Sequence, residues 1–538
     1  MSEKLSGRFK RNSSTLIYAG TGILSALLLS VITSRLLYPF DTGNYEAFNW
    51  QPAQHLLAGK NPYSFALTPP YSMTPYGIVF YALLAIGVEL FGLQLSWGRI
   101  LSVAAFAACL WAVVKITKII TRSKEASLVA LLAGLAAFPA EGWVAVVRPD
   151  LIALAFSLAA LYLVFNLKDD RSNLRGLAGA VLLSAAAFFT KQTFLLVVAV
   201  GALRLLQLRK WREAVWLVSA FAVLAGVGIF FLNYTSSGGY VWQHFIHARR
   251  LPFSPAQSLY LVVEMLKLPT VMIFVLSLLI LAYRRREALR GPSSGRLSDV
   301  SRSPKALVVF YFLLSFAWSF LSSGRAGASF NYYLENSLVM AICFALIYDS
   351  FKRNGLQPAA SVMVVLLTCG GAFQLARVSR GEYFRWQALS YYREIYETAA
   401  ALTPPDGVCV SVYAELVVRN GCQLHFGDFG EYVGGWSPEL GEIFERELKA
   451  GRYSLIIWNR DDLQSQFPNY QLLPMSQSPP ERFSPVYLYV RRGPASAPVT
   501  WRGTARGGLE RTVEFYRRRR AHYWRPDADQ FSRSQKAA

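Results

Sequence analysis

Charged side chains are scarce in this sequence. Asp, Glu, Lys and Arg make up only 16% of the 538 residues, whereas 53% of the residues are hydrophobic. A soluble domain of this size could not bury so much apolar surface, so the composition excludes an ordinary globular protein. It places most of the chain in a lipid bilayer.

Cysteine is also rare, and the five present exclude a scaffold built on disulfides. Cys109, Cys343 and Cys369 fall inside apolar runs, where packing is the ordinary use of cysteine. Cys409 and Cys422 lie in a polar region and can pair if that region faces an oxidising compartment. The sequence contains no Walker-type phosphate loop, no cysteine pair at zinc spacing and no nucleophile elbow, so three common kinds of site are absent.

Long apolar segments dominate the chain up to residue 378, and eleven of them are predicted to span the membrane. They cover residues 16–34, 100–120, 126–143, 151–167, 174–189, 194–206, 214–232, 259–283, 306–321, 334–348 and 362–376. A further apolar stretch, 76–92, is interpreted as an interfacial or re-entrant helix, because counting it as a span would invert every later loop.

The basic residues predict the orientation of these spans. With residues 1–15 as a cytoplasmic tail, the inward loops hold most Lys and Arg and the outward loops hold few, as the positive-inside rule requires. Membrane orientation therefore explains the net charge of +22, and nucleic acid is not expected as a partner. The prediction is a multi-pass protein of the inner (plasma) membrane with its transmembrane domain over 16–378.

The pattern changes after residue 378. Strand-like runs at 407–412, 455–458 and 486–490 alternate with helix-like stretches at 414–419 and 438–449. They predict a small α/β domain over 379–495, which the odd number of spans puts on the extracytoplasmic face. The basic segment 496–538 has little apolar periodicity and is expected to be a disordered tail.

The first outer loop, residues 38–99, is too long for a simple connector. It begins YPFDTGNYE at 38–46, so that Asp41 stands at the water boundary, and continues through GKNPY at 59–63 to Tyr76. Later outward segments read VRPD at 147–150 and TKQT at 190–193, and Asn331, Tyr332 and Glu335 precede or begin the tenth span.

This order of elements resembles the GT-C superfamily of glycosyltransferases that use polyprenyl-phosphate sugars, especially relatives of protein O-mannosyltransferases and of the lipid A aminoarabinose transferase. The family's acidic pair at the end of the first span corresponds here to Asp41 and Thr42, with Glu46 further on. The resemblance implies an α-helical polytopic fold and inverting transfer to a lipid, glycan or protein acceptor outside. It also implies that Asp41 is the general base and that Asp150 is a second catalytic carboxylate.

A sugar on a lipid phosphate already has a good leaving group, so the reaction mainly needs a base and cations that hold the departing phosphate. The outward cations proposed for the phosphate are Arg148, Lys191, Arg249, Arg250 and Arg325. Other substrate contacts are expected from Glu46, Tyr63, Tyr76, Asn331, Tyr332 and Glu335. No protein metal site is predicted, and a divalent cation is left open as a cofactor.

Simpler interpretations stand beside these. Asp41 also fits the N-cap of an interfacial helix, and Lys191 fits a lysine that reaches the membrane interface.

Two other functions also fit a polytopic chain: a glycan polymerase or ligase with a diphosphate-linked donor, and a transporter or flippase of lipid-linked sugars. The long first loop and the absence of a convincing internal repeat favour the glycosyltransferase.

Overall fold

Most of the chain is helical. The computed structural model describes residues 2–491 apart from 43–45, 66–67, 138–141, 168–173, 252, 290–302, 326–327, 403–406, 412–413, 415–421, 427–437, 459–464, 466 and 474–485. Its α-helices of eight residues or more are Ser2–Leu37, Trp50–Leu57, Ile78–Phe91, Leu95–Thr121, Lys124–Leu135, Asp150–Phe165, Leu174–Thr190, Leu196–Gln207, Trp211–Thr235, Pro255–Leu266, Pro269–Leu289, Pro304–Ser323, Leu334–Arg353, Gln357–Gln387, Leu389–Leu402 and Pro438–Lys449. Short 3₁₀ turns at Ala47–Asn49, Pro62–Phe65 and Phe330–Tyr333 lie between them.

The helices confirm the polytopic helical fold. By length and apolarity six of the described helices can cross a membrane, and a bent pair makes a seventh if it is one span. Four shorter apolar helices accompany them: Ile78–Phe91, Asp150–Phe165, Leu174–Thr190 and Leu196–Gln207. Every one of the eleven predicted segments overlaps a helix, whereas the count of eleven spans stays a prediction.

One predicted span is wrong as a continuous helix. Residues 259–283 belong to two helices, Pro255–Leu266 and Pro269–Tyr283, which are bent by 79° relative to each other. Proline at 269 has no backbone N–H to continue the first helix, and it disfavours helical backbone at Leu268. The break therefore falls where the proline requires it.

The core of the bundle surrounds the helix Leu334–Arg353, most of whose residues are buried. The helix Trp211–Thr235, in contrast, has many exposed apolar side chains, among them Val227, Phe230 and Phe231. Apolar side chains directed outward are expected where a helix faces lipid, which is as apolar as they are.

Ion pairs join several loops at one end of the bundle. At one end, Glu125 forms an ion pair with Lys352 and accepts a hydrogen bond from Ser14, and Asp349 pairs with Lys305 at 2.9 Å. These contacts join segments that the alternation of spans assigns to the inward side. The loops assigned to the outward side meet at the other end, which is called the site end below.

The chain divides into two compact units, Met1–Tyr383 with Phe426–Leu440, and Phe384–His425 with Gly441–Ala538. The second unit contains a five-stranded sheet in the order β2-β1-β3-β5-β4. Its strands are Val408–Ser411 (β1), Gln423–Leu424 (β2), Leu455–Trp458 (β3), Tyr470–Leu473 (β4) and Tyr487–Arg491 (β5). Strand β1 runs parallel to β2 and β3, and β5 runs antiparallel to β3 and β4.

The α/β character of this unit confirms the sequence pattern, because the three predicted strands are β1, β3 and β5 and the predicted helix 438–449 is present. Strands β2 and β4 were not predicted. Cys409 in β1 forms a disulfide with Cys422, next to β2, with 6.0 Å between the Cα atoms. The predicted tail 496–538 and most of the predicted helix 414–419 lie outside the described residues.

Candidate active site

A buried ion pair holds the turn that follows the first helix. Glu46 and Arg99 are both fully buried, and their side chains meet through two hydrogen bonds, Nη2 to Oε2 at 2.7 Å and Nε to Oε1 at 3.0 Å. Arg99 also donates to the carbonyl oxygens of Arg35 and Phe40. Glu46 accepts from the backbone N–H of Thr42 at 2.9 Å. The pair thus closes the loop segment that contains Asp41.

The same carboxylate joins the first outer loop to the second. Glu46 Oε1 accepts from the backbone N–H of Val147 at 2.8 Å, and Asn49 donates to the carbonyl oxygen of Val147 at 3.1 Å. Burial would raise the pKa of Glu46, but Arg99 and the hydrogen bonds hold it below its usual value. Val147 is therefore clamped on both sides, which sets the direction of the next residue, Arg148.

Asp41 lies in this turn and is half-buried. Its Oδ2 atom accepts hydrogen bonds from the backbone N–H groups of Glu46 and, at 3.3 Å, of Ala47, at the start of the 3₁₀ turn. The capping interpretation of Asp41 thus has a direct counterpart in the structure. Glu46, whose N–H donates to Asp41, also binds the backbone of Val147, so the turn with Asp41 is tied to the second outer loop. The charge of Asp41 is one of those that raise the pKa of Arg148.

The GKNPY element connects the first loop with the fourth. Gly59 ends the helix Trp50–Leu57 with a φ of +68°, a left-handed conformation that glycine adopts without strain. Asn61 donates to Thr235 Oγ1 at 2.7 Å, and Tyr63, fully buried, donates from its hydroxyl to the carbonyl oxygen of Tyr76 at 2.9 Å. Gln243 donates to the carbonyl oxygen of Tyr63. Tyr63 is therefore a structural anchor whose predicted substrate contact stays a prediction.

Tyr76 approaches the third outer loop because the next residue is glycine. The Gly77 N–H donates to the carbonyl oxygen of Thr190 at 3.0 Å, and a Cβ atom at Gly77 would lie 1.9 Å from the carbonyl oxygen of Phe189. No other residue could approach that backbone so closely without moving it. Lys191 follows directly, so Tyr76 and Lys191 are brought to one place.

The centre of the site end is a cluster of three predicted residues from three loops. Asp150 is fully buried at the start of its helix, and its Oδ1 atom accepts from Lys191 Nζ at 2.5 Å and from Asn331 Nδ2 at 2.9 Å. Burial would lower the pKa of Lys191, but Asp150 and nearby tyrosines raise it. Lys191 is thus held as a cation whose direction is set by Asp150.

Two tyrosines and an arginine surround this cluster. Lys191 Nζ lies 4.8 Å from the ring centroid of Tyr332, which is a cation–π contact. Arg148 donates from Nη1 to the hydroxyl of Tyr76. Burial would lower the pKa of Arg148, but Tyr76, Asp150 and Asp41 raise it. Arg148 is therefore a second cation within the electrostatic range of both carboxylates.

The remaining predicted residues are not part of this cluster. Arg249 and Arg250 are exposed at the end of a helical stretch, and Arg325 donates to the carbonyl oxygen of Ala248 at 3.2 Å, so these three cations form a second group. Glu335 is buried and accepts a hydrogen bond from the Tyr311 hydroxyl at 2.5 Å. Substrate contacts of all four stay predictions.

No role was predicted for Arg99 from the sequence. The signal was available, since a charge at the mouth of a span is costly unless a partner neutralises it. The roles of Gln243 and Asn49 had no such signal, because an amide that clamps a distant backbone group has no characteristic spacing.

The described residues include no group of three or more His, Cys, Asp or Glu side chains that could hold a metal ion. His244, which with His247 has a spacing compatible with metal ligation, is instead stacked on Tyr240 with 4.4 Å between ring centroids. Its Nδ1 and Nε2 atoms contact the carbonyl oxygens of Tyr240 and Tyr76. The charged groups of the candidate site are therefore two cations, Arg148 and Lys191, and two carboxylates, Asp41 and Asp150.

Known proteins resemble the chain in part of its sequence and in its fold. Residues 74–236 match the family model described as dolichyl-phosphate-mannose-protein mannosyltransferase. None of the curated proteins compared with the chain matches it in sequence. The crystal structure of ArnT from Cupriavidus metallidurans in the apo state is 13% identical, with a TM-score of 0.58 over 88% of this chain and 98% of that chain. ArnT from the same organism bound to undecaprenyl phosphate gives the same identity and coverage with a TM-score of 0.57.

These findings show the fold of the chain and a family match over part of its length. ArnT is a GT-C glycosyltransferase, and the chain shares its fold over most of both lengths. Together with the partial family match, the shared fold confirms the predicted resemblance to the GT-C superfamily.

Proposed function

We propose that the chain is a membrane glycosyltransferase that moves a sugar from a polyprenyl-phosphate donor to an acceptor at the site end of the bundle. The observation that carries the proposal is a set of contacts that joins three separate loops. Asp150 in the second loop binds Lys191 in the third. Glu46 ties the turn that contains Asp41 to Val147, the residue before Arg148. Lipid phosphates lie at the end of a membrane bundle, where two fixed cations suit a phosphate group. ArnT, whose fold the chain shares, binds undecaprenyl phosphate, which supports a donor of this kind.

The reaction needs one displacement. An acceptor oxygen or nitrogen forms a bond to the anomeric carbon while the bond from that carbon to the phosphate oxygen breaks, and the polyprenyl phosphate leaves with the electron pair. The acceptor proton passes to Asp41, whose Oδ2 atom accepts hydrogen bonds from the backbone N–H groups of Glu46 and Ala47. Attack opposite to the leaving group gives inversion, an expectation that rests on the family resemblance.

The departing phosphate is held by Arg148 and Lys191 in this proposal. Arginine binds a phosphate with two parallel hydrogen bonds, and lysine acts as a compact charge. Asp150 takes part by orienting Lys191 and keeping it protonated. The exposed group of Arg249, Arg250 and Arg325 is then available for headgroups or for a lipid, glycan or protein acceptor at the predicted extracytoplasmic face.

Proteoliposomes test the proposal against its rivals. Purified protein is reconstituted with undecaprenyl phosphate sugars in one set of vesicles and with diphosphate-linked sugars in another, together with a membrane-lipid extract as acceptor source. Release of free undecaprenyl phosphate with a new glycosidic product is expected in the first set. Product formed only in the second set would favour a polymerase or ligase, and movement of intact donor without product would favour a transporter.

A further inference from the structure

Two polar atoms at the centre of the site are buried without a hydrogen-bond partner among the described residues. They are Oδ2 of Asp150 and Nε of Arg148. The Oδ1 atom of Asp150 is fully used by Lys191 and Asn331, and Arg148 uses Nη1 for Tyr76. Each of these two side chains therefore has a buried polar atom to which no described residue forms a hydrogen bond.

Unmatched buried groups of this kind are costly. A buried donor or acceptor without a partner costs about 1–3 kcal/mol, and more when the group is charged. Active sites tolerate the cost where a ligand supplies the missing partner. Asp150 and Arg148 are separated by one residue. Arg148 binds Tyr76, and the next residue, Gly77, binds the carbonyl oxygen of Thr190 beside Lys191, the partner of Asp150. The two side chains therefore line the same part of the site.

The chemistry of the two atoms selects the ligand group. A carboxylate oxygen only accepts and a guanidinium N–H only donates, so the pair complements a group that does both. A hydroxyl group can donate a hydrogen bond to Asp150 Oδ2 and accept one from Arg148 Nε. A phosphate oxygen does not fit, because it has no proton to give and the Asp150 carboxylate repels it.

We infer that Asp150 Oδ2 and Arg148 Nε form a subsite for one hydroxyl group of the transferred sugar. The inference rests on the proposed function and adds to it a determinant of sugar specificity. Lys191 and the remaining guanidinium N–H groups of Arg148 serve the phosphate, so the same two loops hold the sugar and its leaving group in a fixed relation.

Monodeoxy donors test the subsite. Undecaprenyl phosphate esters of glucose, mannose, galactose and arabinose are first compared, and the ester that is consumed fastest is then prepared without one hydroxyl at a time. A hydrogen bond to a charged group contributes about 1.5–3 kcal/mol, so removal of one particular hydroxyl should lower kcat/KM roughly 10- to 150-fold. Removal of the others should have smaller effects.

Variants assign the effect to the two residues. Arg148→Lys keeps the charge but removes the Nε donor, and Asp150→Asn removes the charge of the acceptor. In both variants the penalty, which is the ratio of kcat/KM for the parent donor to that for the critical deoxy donor, should shrink toward one. Asp349→Asn, in the ion pair at the opposite end of the bundle, is the control and should leave the penalty unchanged.

The outcomes separate the two proposals. If a donor is consumed but every deoxy analogue reacts as well as its parent, the subsite is refuted, and the two atoms are bridged by water only. The same conclusion follows if the penalty is unchanged in Arg148→Lys and Asp150→Asn. If no phosphate-linked donor is consumed, the proposed function fails and the subsite with it.

Discussion

Glu46 and Arg99 form a fully buried ion pair, 2.7 Å apart, between residues that are 53 positions distant in the sequence. Arg99 orients the carboxylate of Glu46, which accepts hydrogen bonds from the backbone N–H groups of Thr42 and Val147. The positions of Asp41 and of Arg148 therefore depend on one carboxylate. A site built from several loops needs such a tie, because loops alone are the more mobile part of a fold.

Removal of one partner of this pair should destabilise the protein. Arg99→Met leaves Glu46 as an uncompensated buried charge, a change that typically costs about 3–5 kcal/mol. Thermal unfolding in detergent measures the effect. Lys352→Met, which breaks the partly exposed pair with Glu125, is the control and should cost less than about 1 kcal/mol. Equal stability losses in the two variants would contradict the structural role assigned to Arg99.

Asp41→Asn should abolish transfer without unfolding the protein. The asparagine oxygen can still accept from the N–H groups of Glu46 and Ala47, but it cannot take a proton, and loss of a general base lowers the rate roughly 10²- to 10⁴-fold. Product formation in donor-loaded proteoliposomes is the measurement. Asp349→Asn, in the ion-pair network at the opposite end, should remain active. Wild-type activity in Asp41→Asn would leave that residue with only its capping role.

Lys191 and Asp150 should act as one unit. Lys191→Met and Asp150→Asn each remove the ion pair, so each should lower kcat/KM for the donor by at least about 10-fold, and the double variant should lose less than the product of the two single losses. Steady-state rates with varied donor measure the coupling. Lys305→Met at the opposite end is the charge-matched control and should have the wild-type rate. Fully additive losses would show that Asp150 does not act through Lys191.

His244 should make the protein less stable in acid. Burial lowers its pKa from 6.5 to about 4, with two carbonyl contacts opposing the shift only in part. Between these values the unfolded chain binds a proton that the folded protein excludes, so the free energy of unfolding decreases as the pH falls from 6.5 to about 4. Thermal unfolding across this range should show a weaker decrease in His244→Gln. Parallel curves for the two proteins would contradict the assignment of a neutral buried imidazole.

The disulfide can be counted in protein purified from cells. Of the five cysteines, Cys109, Cys343 and Cys369 are free, so denatured protein should expose three reactive thiols before reduction and five after it. Because disulfides persist in oxidising compartments, this count also tests the predicted extracytoplasmic side of the second unit. Cys409→Ser, in which Cys422 has lost its partner, should expose four thiols with or without reduction and lose some stability. Five thiols in the unreduced wild type would contradict both predictions.

Much of the architecture followed from local sequence properties. Hydropathy located the apolar helices, the distribution of Lys and Arg predicted which loops share an end, and alternation found β1, β3 and β5. The bent helix at Pro269 departed from the prediction, although proline carried the signal for it. Strand β2 has only two residues and could not produce a recognisable period.

The candidate site was predicted as a collection of residues and assembled only by the fold. Sequence reasoning named Asp150, Lys191 and Asn331, but their common hydrogen-bonded cluster joins positions 41 and 181 residues apart. From the sequence, Arg148 and Lys191 were also equal candidates for phosphate binding with Arg249, Arg250 and Arg325.

Hydropathy, charge bias and turn chemistry act over a few residues, so the sequence by itself determined that this is a helical membrane protein and which loops share an end. Which buried carboxylate pairs with which cation depends on how whole helices pack, because a charge can be buried only where a partner from another element neutralises it. That is why only the tertiary structure decided that Glu46 pairs with Arg99, that Asp150 pairs with Lys191, and that Asp150 Oδ2 and Arg148 Nε are buried without a hydrogen-bond partner among the described residues.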